Sequence, residues 1–123
     1  MASVIITSGD SKGEFLPLGR RTSVIGRAES LPMQILDDLV SRKHLRIKFV
    51  EDTNRHCIED LESKHGTFLN KHKISEVTAL AEGDEILLGQ TTLLFTEKDF
   101  DTQESALMHY NKYGEQARVT RLE

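Results

Sequence analysis

The stretch Ser41-Arg42-Lys43-His44 decides how the fold of this chain is interpreted, because it brings a hydroxyl, two cations and an imidazole to the start of a strand. The residues that follow, up to Val50, alternate apolar and polar side chains, as in a strand with one buried face. A second polar stretch, Ser63-Lys64-His65-Gly66-Thr67, lies further along the chain. Since apolar segments flank both stretches, the sequence predicts two functional loops between the strands of a β-rich domain.

The bulk composition limits the class of protein. The chain has 123 residues, with 37% hydrophobic and 29% charged, which is typical of one soluble globular domain with a short appendage. Its formal net charge of −4 argues against nucleic acid as a partner, since phosphate-backbone binding needs a basic excess. The single cysteine, Cys57, fits a reducing compartment, and there is no apolar run or signal pattern for a membrane. We therefore expect a cytoplasmic protein that binds neither nucleic acid nor membrane.

Short runs of β-branched and aromatic residues predict the strands. Turn signals such as Glu82-Gly83-Asp84 separate them at intervals of about eight residues, which favours an all-β sandwich or barrel. The last two strands are expected to form a hairpin across Gly89-Gln90-Thr91. The predicted strands cover residues 4–6, 15–18, 22–26, 33–36, 44–50, 57–61, 67–69, 73–74, 77–80, 85–88 and 92–96.

The hydrophobic period changes after Phe95. Asp101, with Glu104 three residues further on, forms a capping-box pattern that predicts the start of a helix. We expect a β domain over residues 1–98 and a C-terminal helix and tail over residues 99–123. The helix is expected to pack on the β domain or on a partner through an apolar stripe, whose members are Ala106, Leu107, Tyr110, Tyr113 and Ala117.

Three segments supply groups that can hold a phosphate: Gly26-Arg27 and the two polar stretches. A phosphoryl group carries about −1.5 to −2 charges and three acceptor oxygens, and these oxygens need donors once they are desolvated. Arg27 offers a rigid fork of donors, and both the hydroxyl and the backbone N–H of Ser41 are expected to point to an oxyanion. Arg42 adds a second cation beside Ser41. The residues therefore predict a phosphate-binding site at a rim of the domain.

In order and spacing, Gly26-Arg27, the Ser-x-x-His pattern at Ser41 and the Ser63–Thr67 run resemble the motifs of the forkhead-associated (FHA) domain, which binds phosphothreonine peptides. The resemblance spans residues 4–95. It implies an antiparallel β-sandwich of about eleven short strands, followed here by the C-terminal helix. It also implies a non-enzymatic reader of phosphothreonine proteins in Ser/Thr kinase signalling, with no cofactor and no metal.

The resemblance assigns a role to each matching residue. Arg27 and Ser41 are expected to hold the phosphate, with help from Arg42 and Lys64. His44 is expected to brace the loops from beneath, and Gly66 to supply the positive φ of a tight loop. The full set expected to shape the loops is Gly26, His44, Gly66, Thr67 and Asn70.

The sequence departs from the family pattern at His65, where FHA domains usually place an asparagine that clamps the peptide backbone. A neutral imidazole also offers one donor and one acceptor, whereas a protonated imidazole offers donors alone. We therefore expect His65 to contact the peptide, with binding that is weakened, dependent on pH between about 5 and 8, or lost. A second departure is Lys71, which replaces the glycine of a common Asn-Gly turn after Asn70.

A phosphate-independent scaffold is the main alternative function. The fold would then be retained, while the altered site or the C-terminal helix binds an unphosphorylated protein. Self-association is a related hypothesis, because Thr120 lies between Arg118 and Arg121 in the tail and could dock on the same or a neighbouring domain once phosphorylated.

Catalytic and metal sites have weaker support in the sequence. Ser41 and His44 lie close together, but no Gly-x-Ser-x-Gly elbow and no obvious orienting acid accompany them. A zinc site from His44, Cys57, His65 and His72 lacks the paired ligand spacing of known zinc motifs. We therefore expect a binding module rather than an enzyme.

Overall fold

The computed structural model describes residues 2–9 and 11–97, and this part of the chain consists of strands, turns and loops. The all-β prediction is confirmed, while the helix expected in residues 99–123 lies outside the described residues. The strands are β1 (Ser3–Ile6), β2 (Phe15–Pro17), β3 (Ser23–Gly26), β4 (Met33–Gln34), β5 (Leu45–Val50), β6 (Arg55–Asp60), β7 (Thr67–Leu69), β8 (His72–Lys73), β9 (Thr78–Ala79), β10 (Glu85–Leu88) and β11 (Thr91–Thr96).

The strands form two sheets that pack as a sandwich. One sheet has the order β2-β1-β11-β10-β7-β8, and the other has the order β4-β3-β5-β6-β9. In the described part of the chain the strands pair antiparallel except for β3 with β4, which pair in parallel, so the second sheet is mixed. The chain leaves β3 at Gly26 and re-enters the sheet beside it in the same direction, and Ile35 N–H donates to Gly26 O at 2.7 Å.

The core lies between the sheets and follows the two-residue period of the strands. Ile47 of β5 and Ile58 of β6 face each other in the register, and both are fully buried. Val4 and Phe95 form a similar buried pair between β1 and β11. Burial of one such side chain contributes about 1.5–3 kcal/mol, so each pair stabilises the contact between neighbouring strands of its sheet.

Most strand boundaries differ from the prediction by one or two residues, and two of these differences have a clear physical cause. β6 begins at Arg55, because His56 continues the inward alternation and is buried, with Nε2 at 2.8 Å from Gly19 O. The last hairpin turns over two residues rather than three, since Leu88 pairs directly with Thr91. Its first turn residue, Gly89, has a φ of +60°, which two-residue hairpins require at that position.

The described part of the chain contains no helix with the length and apolar character of a membrane span.

Candidate functional site

Backbone hydrogen bonds bring the Arg27 loop and the Ser41 loop together. His44 N–H donates to Ile25 O at 3.0 Å, which continues the pairing of β3 with the segment before β5. Beyond it, Arg27 N–H donates to Ser41 O at 3.0 Å, and Ala28 N–H donates to Arg42 O at 3.1 Å. Arg27 and Ser41, which are far apart in sequence, therefore lie side by side at one end of the sandwich.

Gly26 permits this close approach. A Cβ atom at this position would lie 2.3 Å from Arg42 O and 2.8 Å from Ser41 O. Both atoms belong to the backbone, so no side-chain rotation could relieve the clash. Glycine is required here because the two chain segments touch, and its φ is not in the left-handed region.

The Arg27 side chain is exposed but anchored at one nitrogen. Its Nε donates to Val40 O at 3.0 Å. Among the described residues, nothing forms a hydrogen bond with the two terminal nitrogens of the guanidinium. The anchor therefore orients the side chain and leaves its terminal N–H groups for a ligand.

The backbone N–H and the hydroxyl oxygen of Ser41 both form hydrogen bonds within the protein, whereas the hydroxyl hydrogen is available to a ligand. Its backbone N–H donates to His44 Nδ1 at 3.0 Å, so the expectation that this N–H points to an oxyanion is wrong. The buried imidazole ring of His44 takes up the N–H of Ser41, because the ring lies directly beneath the loop. Ser41 Oγ accepts a hydrogen bond from Lys64 N–H at 3.0 Å, which leaves the hydroxyl hydrogen to donate to another group.

His44 is fully buried and links both polar stretches. Its Nδ1 accepts from Ser41 N–H, and its Nε2 lies 2.8 Å from Gly66 O. Because Nδ1 is the acceptor and a carbonyl oxygen can only accept, the ring is in the tautomer that carries its proton on Nε2. A neutral imidazole thus holds the two loops at a fixed separation.

The second polar stretch is held by the carboxylate of Asp60. Its Oδ1 accepts from Ser63 Oγ at 2.5 Å and from Thr67 Oγ1 at 2.7 Å, and its Oδ2 accepts from Ser63 N–H at 3.0 Å. Ser63 Oγ in turn accepts from Gly66 N–H at 2.9 Å. Partial burial by itself would raise the pKa of Asp60, but the hydrogen bonds from Ser63 and Thr67 outweigh it and hold the pKa below its ordinary value.

Gly66 completes this loop. It has a φ of +84°, and a Cβ atom there would lie 2.8 Å from Cε of Lys73. Lys64 and His65, which precede it, are exposed to solvent at the tip of the loop. The structure therefore presents these two side chains outward, while Ser63 and Thr67 face Asp60.

Asp37 fastens the Ser41 loop to the last hairpin. Its Oδ2 accepts from Gln90 N–H at 2.7 Å and from Thr91 Oγ1 at 2.9 Å, and its Oδ1 accepts from Leu39 N–H at 2.9 Å. Desolvation by burial would raise the pKa of Asp37, but these three hydrogen bonds together lower it. Neither Asp37 nor Asp60 was predicted as a loop-shaping residue, although a carboxylate close to a polar stretch is a common signal of such turns.

Asn70 lies away from the loop cluster. It follows β7 at the end opposite Thr67, and it pairs with the start of β10 through Glu85 N–H, which donates to Asn70 Oδ1 at 2.9 Å. Asn70 and Lys71 form the turn between β7 and β8, with φ values of 50° and 73°. Asn70 therefore shapes this turn rather than the two polar stretches.

Beside the paired loops, Arg27 and Arg42 line an open groove of about 500 Å³, together with Gln34, Leu36 and Asp38. The structure thus assembles two exposed guanidinium groups, one free hydroxyl hydrogen and the exposed tip at Lys64 and His65 around neighbouring loops. Among residues 2–9 and 11–97, no group of three or more His, Cys, Asp or Glu side chains could hold a metal ion.

The fold and these motifs define a class of protein. The family model for the FHA domain matches residues 23–89, which is more than half of the chain, so the protein belongs to the FHA domain family.

Particular relatives sharpen this assignment. The chain is 28% identical over 90 residues to the FHA domain-containing protein FhaB of Mycolicibacterium smegmatis, covering 73% of this chain and 57% of FhaB. The chain therefore spans little more than half the length of that relative.

Two solved structures have the same fold. A solution structure of the FHA domain of an Arabidopsis thaliana hypothetical protein has a TM-score of 0.72 and 29% identity, covering 82% of this chain and 88% of that chain. A structure from work on phosphothreonine-dependent FHA domain interactions has a TM-score of 0.70 and 25% identity, covering 80% of this chain and 98% of that chain.

Proposed function

We propose that this domain binds phosphothreonine peptides and acts as a non-enzymatic reader in Ser/Thr kinase signalling. The observation that carries the proposal is the direct pairing of Arg27 with Ser41, through an N–H···O=C bond of 3.0 Å. The pairing holds the two residues on neighbouring loops, and among the described residues no hydrogen bond engages the terminal nitrogens of Arg27 or the hydroxyl hydrogen of Ser41. Similarity to an FHA domain studied for phosphothreonine-dependent interactions supports the same function.

In this proposal the phosphate is held by charge and by directed hydrogen bonds. Arg27 donates from its terminal nitrogens, and Ser41 donates from its hydroxyl. Arg42 and Lys64, both exposed at the same loops, add positive charge. A hydrogen bond to a charged group contributes about 1.5–3 kcal/mol, so two or three of them give a phosphopeptide a large advantage over its unphosphorylated form.

The loops are held in place before any ligand binds. His44 fixes the distance between Ser41 and Gly66, and Asp60 fixes the shape of the second stretch. A preorganised site avoids part of the ordering cost of association. His65 is exposed at the loop tip, where it would contact the peptide backbone.

The cellular setting is also part of the proposal. A net charge of −4 and a single cysteine favour a cytoplasmic protein whose partners are phosphorylated proteins rather than nucleic acid. Self-association through residues 99–123 stays a prediction from the sequence.

The test is a titration of Arg27→Ala with a degenerate phosphothreonine peptide library. We expect binding to weaken roughly ten- to a hundredfold, because one charge-assisted anchor is lost. Arg55→Ala is the matched control, since Arg55 also donates to a backbone carbonyl, Leu80 O at 3.0 Å, but lies on β6. Arg55→Ala should lower the free energy of unfolding by about as little as Arg27→Ala does, and it should leave the affinity for phosphothreonine peptides unchanged.

Unphosphorylated and phosphoserine libraries complete the experiment. Equal affinity of Arg27→Ala and the unchanged protein would exclude the proposed site. Equal capture of phosphorylated and unphosphorylated peptides would instead favour a phosphate-independent scaffold. The altered site would then be explained by His65, which stands where FHA domains usually have an asparagine.

A further inference from the structure

The loop between β4 and β5 carries two exposed leucines close to the groove of Arg27 and Arg42. Leu36 is 80% exposed and Leu39 is 37% exposed. Single exposed apolar side chains are common on protein surfaces, but two in one loop beside a groove form a small apolar patch of the kind that contacts ligands.

This loop is held firmly although its leucines are exposed. Ile35, which precedes Leu36, is buried in the core. Asp37 N–H donates to Ile35 O at 3.0 Å, and Val40 N–H donates to Asp37 O at 2.9 Å. The carboxylate of Asp37 also fastens the loop to the last hairpin. Leu36 is therefore presented in a fixed position, which lowers the ordering cost of a contact with a ligand.

Leu36 and Asp38 form a ridge between two grooves, because both side chains line both of them. The first is the groove that contains Arg27 and Arg42. The second groove has a volume of about 570 Å³, and Leu39 lines it together with the two ridge residues. A peptide whose phosphate lies in the first groove reaches the second groove by crossing the ridge.

Asp38 supplies an available negative charge at the second groove. It is exposed, and within residues 2–9 and 11–97 it forms no hydrogen bond and no ion pair. The carboxylate of Asp37, by contrast, accepts three hydrogen bonds from the protein. The second groove thus combines aliphatic surface with one available carboxylate. A lysine or arginine side chain matches both features, since its methylene stem packs on apolar surface while its cationic end stays in contact with water and charge.

We propose that the second groove binds a lysine or arginine side chain of the phosphothreonine peptide, with its stem on Leu36 and Leu39 and its charge beside Asp38. This inference rests on the proposed phosphopeptide function, and it names the class of peptide as one with a basic residue near the phosphothreonine. Arg27 and Arg42 alone favour acidic residues in a peptide. A preference for a basic residue at one position therefore points to a carboxylate of the protein.

A panel of phosphothreonine peptides tests the proposal. Each peptide has alanine at every flanking position except one, which carries lysine, glutamate or leucine. In the unchanged protein, the lysine peptide should bind about three- to tenfold more tightly than the glutamate peptide at one position, because an exposed ion pair and partial burial of the stem each add a small contribution. Equal affinity of the lysine and glutamate peptides at every position would overturn the proposal. A preference for leucine that Asp38→Asn leaves intact would also overturn it, in favour of an apolar contact alone.

A reversal of charge on the ridge is the sharpest test. Asp38→Lys should prefer the glutamate peptide at the position where the unchanged protein prefers lysine. Asp52→Lys is the matched control, since it makes the same change in net charge at an exposed residue of the turn after β5, whereas the Ser41 loop lies before β5. This control should keep the preference for lysine. Retention of that preference in Asp38→Lys would overturn the proposal.

Leu36→Ser tests the apolar part of the groove. It should weaken binding of the lysine peptide severalfold and leave the affinity for the all-alanine phosphothreonine peptide unchanged. The all-alanine peptide also reports whether the phosphate site of this variant is intact. An equal loss of affinity for both peptides would overturn the role of Leu36 in reading the basic side chain.

An unphosphorylated copy of the panel separates this inference from the proposed function. Phosphate-dependent binding without a preference for lysine would overturn this inference alone and would leave the phosphothreonine reader in place. Binding that does not depend on phosphate would overturn both proposals.

Discussion

The core of the sandwich and the loop cluster at its end are stabilised by different forces. In the core, Ile47 packs on Ile58 with no polar contact, and the stabilisation comes from removal of apolar surface from water. In the loop cluster, His44 and Asp60 hold the chain through directed hydrogen bonds, one neutral and one charged. The first force is insensitive to pH and to exact direction, whereas the second depends on both. Stability and site geometry can therefore be changed separately in this domain.

The largest effect is expected from a change in the core. Ile58→Ala should lower the free energy of unfolding by about 2–5 kcal/mol, because it leaves a cavity in a fully buried site. Urea unfolding at pH 7 and pH 4 measures this loss, which should be the same at both pH values. The phosphopeptide affinity of the folded molecules should not change.

Ile58→Val is the milder companion of this variant, and it should cost about 0.5–1.5 kcal/mol. If either core variant weakened phosphopeptide binding more than it lowered the folded fraction, the separation between core and loops would be wrong.

A change at Asp60 should have an intermediate effect on stability and a direct effect on the site. Asp60→Asn replaces one acceptor oxygen with an NH₂ group, so Ser63 or Thr67 loses its partner. We expect a loss of about 2 kcal/mol in the free energy of unfolding, together with weaker phosphopeptide binding, since the Ser63–Gly66 loop is no longer held. Asp84→Asn is a suitable control, because Asp84 holds the exposed turns at Ala81 and Asn70 instead. The control should leave phosphopeptide affinity unchanged.

The same pair of proteins gives a pH test. The pKa of Asp60 is lowered in the folded state, so its contribution is complete above the pKa of the unfolded chain, near 3.8, and declines as the pH falls through the folded value. The stability difference between the unchanged protein and Asp60→Asn should be constant from pH 7 to about pH 5 and should shrink below about pH 4. A difference that stayed constant down to pH 2 would show that the carboxylate charge has no part in holding the loop.

The smallest effect is expected at the turn between β7 and β8. Lys71 has a φ of 73°, a conformation that costs an L-residue with a side chain more than it costs glycine. Lys71→Gly should therefore raise the free energy of unfolding by about 0.5–1 kcal/mol, as measured by urea unfolding. Lys71→Ala removes the same charge but keeps the strain, so it should give no such gain. A gain of equal size from alanine would assign the effect to the lysine charge.

The sequence predicted the strands well because their side chains alternate between core and solvent. The alternation from Leu45 to Val50 located β5 to within one residue. The parallel pairing of β3 with β4 was not predicted, because register between distant strands depends on the path of the intervening loop. His56 shows a further limit, since burial of a polar side chain depends on a partner, here Gly19 O, that is remote in sequence.

The sequence allowed us to predict which residues belong to the candidate site, but not which hydrogen bonds join them. The motifs identified Arg27, Ser41 and His44, and the structure brings all three together. Their roles toward a phosphate stay a proposal. The sequence could not show that His44 takes up the backbone N–H of Ser41, or that Asp37 ties the Ser41 loop to the last hairpin. Both contacts depend on how the loops are arranged in the folded protein, so the local sequence does not indicate which donor faces which acceptor.

The contact of Gly26 with the carbonyl oxygens of Ser41 and Arg42 restricts how this module could be re-targeted by directed evolution. A library that randomises the loops to obtain new peptide preferences has to keep Gly26 fixed, because any larger residue there would push the Ser41 loop away from Arg27. Exposed positions such as Lys43, Lys64 and His65 meet no such steric limit and are the better places for diversity.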